Sequence, residues 1–247
     1  MDFDRELFFD LIDADRANLT PHEKETTPYK FLMSSHEFQT AQLDCLDIRP
    51  YSYFDGYWFS LQYFKDLAID REFSLKTPLS PKNATLKARI LGTKNSVFLH
   101  IRRGDYLEID NTINLCEGKY YEGAIDFIKS RLKNPHIFIF SNDIGWCRRE
   151  FLGILSDECK GGVEFEFVAN NGEDSAAQEM ELMRSCQNAI IANSTFSWWG
   201  GYLIDNPRKI VAMPNRYHKD AVQITYNSDS VVFENVVLVD YLTGEIL

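Results

Sequence analysis

The stretch Val97–Tyr106, VFLHIRRGDY, decides how the rest of the chain is read. Its first half, VFLHI, is apolar with β-branched and aromatic residues, and reads as a short buried strand. Two adjacent arginines, a glycine and an aspartate come directly after it. Two guanidinium groups at a strand exit are costly to desolvate unless something anionic meets them. The carboxyl end of a parallel strand is also where open α/β sheets bind their ligands. The combination points to a phosphorylated ligand.

Downstream of this strand the pattern is regular. Residues 120–132 read as a helix, with Tyr121, Ala124, Ile125 and Ile128 on one face. A second strand, HIFIF at 136–140, ends in Ser141-Asn142-Asp143, and a helix over 146–155 comes next. Gly161-Gly162 turns the chain into a strand over 163–168, then come a helix over 175–186 and the strand NAIIA at 188–192. Asn193-Ser194-Thr195 starts the next helix, running over 197–204, and a last short strand at 209–212 stops at Pro214. Strands alternating with helices imply a parallel sheet with crossover connections, a Rossmann-like half. The tail carries VVFENVVLVDYL, readable as one more strand or as a helix docking back.

Upstream the reading is sparser. Residues 2–17 have helical spacing, and Thr20-Pro21 and Thr27-Pro28 break the chain into loop. The aromatic stretch YSYFDGYWFSLQYF at 51–64 reads as strand and turn packed into a core. PLSPKN at 78–83 connects to a helix over 84–91. Residues 1–90 are therefore expected to form an N-terminal region, and 91–247 a Rossmann-like domain.

Composition narrows the function. The chain has 247 residues, 45% hydrophobic and 14% aromatic, which suits a globular protein with a sizeable core. A formal charge of −11 argues against nucleic acid as a partner, because phosphate backbones select basic faces. It leaves room for a small phosphorylated ligand held by a local basic cluster. Five widely spaced cysteines with no CxxC pair suggest reduced thiols and a cytoplasmic setting. No HxxxH pair is present, and no metal site is evident. The chain also lacks a GxxxxGK[ST] loop and a GxGxxG loop.

Three strand exits carry chemistry and should meet at one sheet edge. At the first, Arg102 and Arg103 cannot both point the same way. Arg102 is read as a bidentate clamp on a diphosphate. The competing reading pairs the arginines internally with Asp105 or Asp143, and Arg103 is left undecided between the two. At the second exit, Asp143 is read equally as a ligand contact or a helix N-cap. At the third, Ser194, Thr195 and Ser197 with free helix amides form a ready anion site. One of Trp198 and Trp199 should pack in the core, and Gly200-Gly201 should let the helix sit close to its neighbour.

These stretches resemble the α-1,2-fucosyltransferases, chiefly the bacterial members, and more distantly the α-1,6 and protein O-fucosyltransferases. The likeness rests on HxRRxD (His100–Asp105), SNDxxWC (Ser141–Cys147) and ELMxxCxxxIIANSTFSWWG (Glu181–Gly200), with the aromatic GYWxSxxYF at Gly56–Phe64. It covers about residues 50 to 215. The resemblance implies a GT-B-like α/β fold with a Rossmann-like C-terminal half and a shortened N-terminal lobe. It implies GDP-fucose as donor, inverting transfer to the 2-hydroxyl of a galactose-terminated oligosaccharide or surface glycan, and no metal or other cofactor.

By the same likeness, Arg102 would bind the donor pyrophosphate and stabilise the departing GDP, and His100 would lie beside the nucleoside. Arg103, Asp143, Ser194, Thr195 and Ser197 complete the expected donor set. Glu179, shortly before Leu182-Met183, would hold guanine. Asp105 and Asp110 are the carboxylates placed to take the acceptor proton. The bacterial enzymes open with a GGLGNQ-type glycine loop, and nothing of that kind precedes Tyr51. A second reading is therefore a non-catalytic or degenerate GDP-sugar-binding protein lacking the N-terminal lobe. A third is a different Rossmann-like transferase whose arginines serve internal ion pairs. A cytoplasmic location, with peripheral membrane contact left open, completes the expectation.

Overall fold

The computed structural model describes residues 61, 73–107, 115–172, 175–217 and 231–247. The chain divides into two compact units, Met1–Lys65 and Asp66–Leu247. The expected helix over 2–17, the aromatic stretch at 51–64 and Asp110 lie outside the described residues.

The second unit is built on a six-stranded, all-parallel sheet in the order β3-β2-β1-β4-β5-β6. Its strands are β1 (Ser96–Ile101), β2 (His136–Ser141), β3 (Glu164–Phe167), β4 (Asn188–Ile190), β5 (Val211–Pro214) and β6 (Val236–Val239). The helices are α1 (Pro81–Gly92), α2 (Gly118–Arg131), α3 (Ile144–Glu150), α4 (Asp157–Lys160), α5 (Ala176–Arg184) and α6 (Thr195–Tyr202). The chain order reverses between β1 and β4, and such a reversal leaves a crevice at the carboxyl ends of the strands.

β1 is the centre of the sheet, and all six of its residues are buried. A strand covered on both faces reads as a continuous apolar run, which is why VFLHI shows no alternation. On one face Val97, Leu99 and Ile101 pack with Ile137, Ile139, Ile190 and Ala212 beneath Tyr121, Ala124, Ile125 and Ile128 of α2. These are the four positions that the helical spacing singled out. Phe98 lies on the other face, under α5 and α6. A Cβ at Gly200 would lie 2.7 Å from Met183 Cε and 3.2 Å from Phe98 Cζ, and one at Gly201 3.2 Å from both Ile191 and Val211. The glycine pair thus lets α6 sit against its neighbours. Trp198 is fully buried and donates through Nε1 to the Val231 carbonyl at 2.8 Å. Trp199 stacks on Phe73 at 4.7 Å.

Several boundaries differ from the expected ones, and most differences are capping effects. α1 begins at Pro81 because the Ser80 hydroxyl accepts the Asn83 amide and proline fits the first helical position. α1 also packs on α5. α3 begins at Ile144 under an Asp143 cap and gives way to a 3-10 turn at Phe151–Gly153, where one helix over 146–155 was expected. α6 begins at Thr195, within the Asn193-Ser194-Thr195 stretch read as its start. The last expected strand is shifted to Val211–Pro214, and the tail supplies β6, paired parallel to β5. The open choice for the tail therefore resolves as a strand. Among the described residues no helix is long and apolar enough to cross a membrane.

Candidate functional site

β1 delivers the arginines to the reversal point, where they diverge as strand alternation requires. Arg102 Nη2 donates to Asp105 Oδ2 at 2.7 Å, and its guanidinium carbon lies 5.3 Å from the Tyr106 ring centroid. Arg103 stacks over the Trp146 ring at 3.8 Å, with Nε 4.0 Å from Asp143 Oδ2. Both internal pairs of the competing reading are therefore present. They do not use up Arg102: its Nε is shielded from water and makes no hydrogen bond. The Asp105 side chain is 48% exposed, and an ion pair that open contributes only ~0–1 kcal/mol.

The residue that organises this exit is Asn142, to which the sequence pattern assigns no separate role. Its Oδ1 accepts the Arg103 amide at 3.0 Å, and its Nδ2 donates to Asp105 Oδ1 at 3.1 Å. A Cβ on Gly104 would lie 2.3 Å from Asn142 Nδ2, so glycine keeps the amide in place. Asp143 accepts the Trp146 amide at 3.0 Å, so it serves as the N-cap of α3. Its carboxylate also faces Arg103.

His100 is buried, with its ring 5.6 Å from that of Phe196 in the first turn of α6. Burial first, and the Arg102 charge second, lower its pKa to about 3. The imidazole is therefore neutral, and its Nδ1 has no hydrogen-bond partner.

The exit of β4 is built without ionised groups. Asn193 stitches it to its surroundings: Nδ2 donates to the Tyr217 carbonyl at 3.1 Å, and Oδ1 accepts the Cys116 thiol at 3.5 Å. Its own carbonyl accepts the Tyr106 hydroxyl at 3.2 Å. Burial pushes the Cys116 thiol up to about 12, so it remains a neutral donor. Ser194 occupies the N-cap position of α6, but its side chain makes no capping bond. The first-turn amides of a helix have no intrahelical acceptor, and here the cap leaves them to another group. Thr195 is partly exposed beside them. Ser197 is fully buried, and its Oγ accepts the Ala192 amide at 2.9 Å. It braces the cradle from behind.

Glu179 lies in the first turn of α5, on the same sheet edge. Burial pushes its carboxyl up to about 7, with the Asn171 side chain pulling the other way. The other acid before Leu182-Met183, Glu181, is taken by Lys87 at 2.5 Å and faces Arg184 at 3.9 Å. Glu179 instead has the Asn171 side chain as a hydrogen-bond partner. No group of three or more His, Cys, Asp or Glu suited to a metal ion occurs among the described residues.

The site combines a displaceable arginine, an uncapped helix start and a shielded carboxyl on one parallel-sheet edge. The family profile of Glycosyl transferase family 11 matches residues 18–231, which include every one of these groups. The chain belongs to glycosyl transferase family 11. An alpha-1,2-colitosyltransferase of Escherichia coli is 35% identical over 157 residues, covering 61% of this chain and 50% of that protein. An O-antigen biosynthesis glycosyltransferase, WbnK, of the same organism is 34% identical over 170 residues, covering 63% and 53%. A rat galactoside alpha-(1,2)-fucosyltransferase 1 is 27% identical over 198 residues, covering 75% and 50%. The family 11 chain spans about half the length of the curated relatives it matches. No solved structure matches it.

Proposed function

We propose that this family 11 chain transfers L-fucose, with inversion, from GDP-fucose to the 2-hydroxyl of a terminal galactose in a glycan. The observation that carries the reading is Arg102, weakly held by Asp105, with a shielded and unpaired Nε at the sheet's reversal point. The names of the relatives support it. In this reading the enzyme is GT-B-like: residues 91–247 bind the donor and the N-terminal region serves the acceptor. It works in the cytoplasm without a metal.

The bond between the sugar C1 and the diphosphate oxygen breaks as the galactose oxygen attacks from the opposite face. Negative charge gathers on the departing diphosphate, where Arg102 and the α6 amides meet it. The carboxylate of Asp105 or Asp110 takes the acceptor proton. Asp105 is bridged by Arg102 and Asn142, and in that state it aims the arginine. A diphosphate that displaces Asp105 from Arg102 also frees one of its oxygens. His100, neutral, lines the nucleoside side, and Glu179 meets the base.

The test is incubation of the protein with GDP-fucose and a β-galactoside, in the presence of EDTA, with the product linkage read by NMR. An α-1,2-fucosylated product is expected. Tight GDP-fucose binding with no transfer to any galactoside would favour a non-catalytic sugar-nucleotide binder. Equal use of UDP-sugars would sink the proposal. A parallel assay with a GDP-colitose donor separates the two sugars named among the relatives.

A further inference from the structure

The 3-10 turn Gly104–Leu107 carries the chain on from Arg102, and one of its side chains, Tyr106, reaches across to the start of α6. The Tyr106 ring centroid lies 5.3 Å from the Arg102 guanidinium carbon, and its hydroxyl donates to the Asn193 carbonyl at 3.2 Å. A carbonyl oxygen can only accept, so the phenol proton is committed there. The phenol oxygen is left as an acceptor, and the Ser194 hydroxyl is hydrogen-bonded to it. Burial raises the pKa of the phenol, which keeps its proton in place. Ser194 is only 4% exposed, so protein groups rather than water decide where its hydroxyl points.

This bond accounts for an exception among the helix starts. Serine is a preferred N-cap because its oxygen accepts a first-turn amide. Ser80 and Ser156 do so at the starts of α1 and α4. Ser194 holds the same position at α6 and does not. The first bond within α6 runs from the Trp198 amide to the Ser194 carbonyl at 2.9 Å. The amides of Thr195, Phe196 and Ser197 therefore have no acceptor within the helix. Against the same turn, with its ring 5.6 Å from that of Phe196, His100 is 1% exposed and its Nδ1 has no partner. A helix start without its cap and an unpaired buried nitrogen beside it mark a place kept open for a ligand.

We propose that Tyr106 is a positioning residue that holds the Ser194 hydroxyl off the α6 amides and so keeps them open for the diphosphate of the sugar nucleotide. The inference rests on the GDP-sugar reading above. Through its ring Tyr106 also backs Arg102, so one side chain sets both halves of the diphosphate cradle. Without the phenol oxygen, Ser194 turns to the ordinary partner of an N-cap serine, the Phe196 or Ser197 amide, and the diphosphate has to displace it.

The experiment is calorimetric titration of the full chain with GDP. Wild type, Tyr106→Phe and the double variant Tyr106→Phe with Ser194→Ala are compared, with folding checked by circular dichroism. Tyr106→Phe keeps the ring beside Arg102 and removes only the oxygen. It is expected to weaken GDP binding about 2- to 30-fold, the equivalent of a serine cap worth ~0.5–2 kcal/mol. The double variant has no hydroxyl to cap with and is expected to bind GDP more tightly than Tyr106→Phe. A merely structural tyrosine would not be rescued by removing a second group. Amide hydrogen exchange reads the cap directly: exchange at Phe196 or Ser197 should slow in ligand-free Tyr106→Phe and recover in the double variant. In wild type, which needs no substitution, both amides should slow when GDP is added. Wild-type affinity in folded Tyr106→Phe, or a double variant that binds no more tightly, would overturn the role of Tyr106 and leave the GDP site standing. Equal protection of these amides in free and GDP-bound wild type would overturn the open helix start. Failure of folded wild type to bind GDP at all would overturn the donor reading as well.

Discussion

The exits of β1 and β4 face the same crevice and hold charge in opposite ways. At β1 the groups are arginine and aspartate side chains, partly open to water and paired with one another: Arg102 with Asp105, Arg103 with Asp143 and Trp146. At β4 they are neutral and buried, and an uncapped helix start does the work. In the proposed mechanism the first arrangement is an exchange device, since a weak internal ion pair can be traded for a ligand. The second is a fixed mould whose amides do not reorganise. A departing diphosphate needs both, a strong charge that can follow it and dipoles already aimed. Salt should weaken the first and spare the second.

The contrast is broken most severely at Arg102. Arg102→Ala should lower GDP affinity by ~10–100-fold, in line with loss of a charged hydrogen bond of ~1.5–3 kcal/mol. Lysine should restore only part of this, because it lacks the planar fork. GMP affinity should barely change, which places the effect on the outer phosphate. The matching substitution at β4 is Ser197→Ala, which strands the buried Ala192 amide. It should cost ~1–3 kcal/mol of stability, read as a lower denaturant midpoint. At the second exit, Asp143→Ala should cost ~0.5–2 kcal/mol through the lost α3 cap. It should change GDP affinity less than Arg102→Ala does.

Two shielded groups sharpen the comparison through pH, with opposite signs. The pKa of His100 lies below its unfolded value, so its contribution to stability is present above about pH 6.5 and is lost as pH falls toward about 3. That of Glu179 is raised, so its contribution is present below its usual value of 4.5 and is lost as pH rises through about 7. Urea midpoints across this range should show an acid-side loss that His100→Phe blunts and a rise-side loss that Glu179→Gln blunts. GDP affinity should increase through about pH 7 as Glu179 ionises, and Glu179→Gln should flatten that profile.

Much of this edge was legible in the sequence, for a physical reason. Strands buried on both faces are continuous apolar runs, so VFLHI and HIFIF stand out, and the polar residues after each strand lie by topology at the ligand edge. The divergence of Arg102 and Arg103 is a consequence of alternation alone. Helix starts were missed by up to three residues because capping by Ser80 and Asp143 is settled by hydrogen bonds rather than by periodicity. The tail could not be resolved, because VVFENVVLVDYL carries no clean period. Asn142 escaped notice because its partners are 37 and 39 residues away. Asn83 donates to Asn171 and Gln178, 88 and 95 residues away, and no local pattern announces these bonds.

The central claim is that the reversal point between β1 and β4 holds a nucleoside diphosphate through Arg102. Calorimetric titration of GDP against GMP and UDP, for wild type and for Arg102→Ala, tests it most directly. The account expects GDP to bind tightly, GMP and UDP weakly, and GDP binding to collapse in a mutant that melts like the wild type. Equal binding of GDP by the folded mutant, or none by the folded wild type, would contradict it.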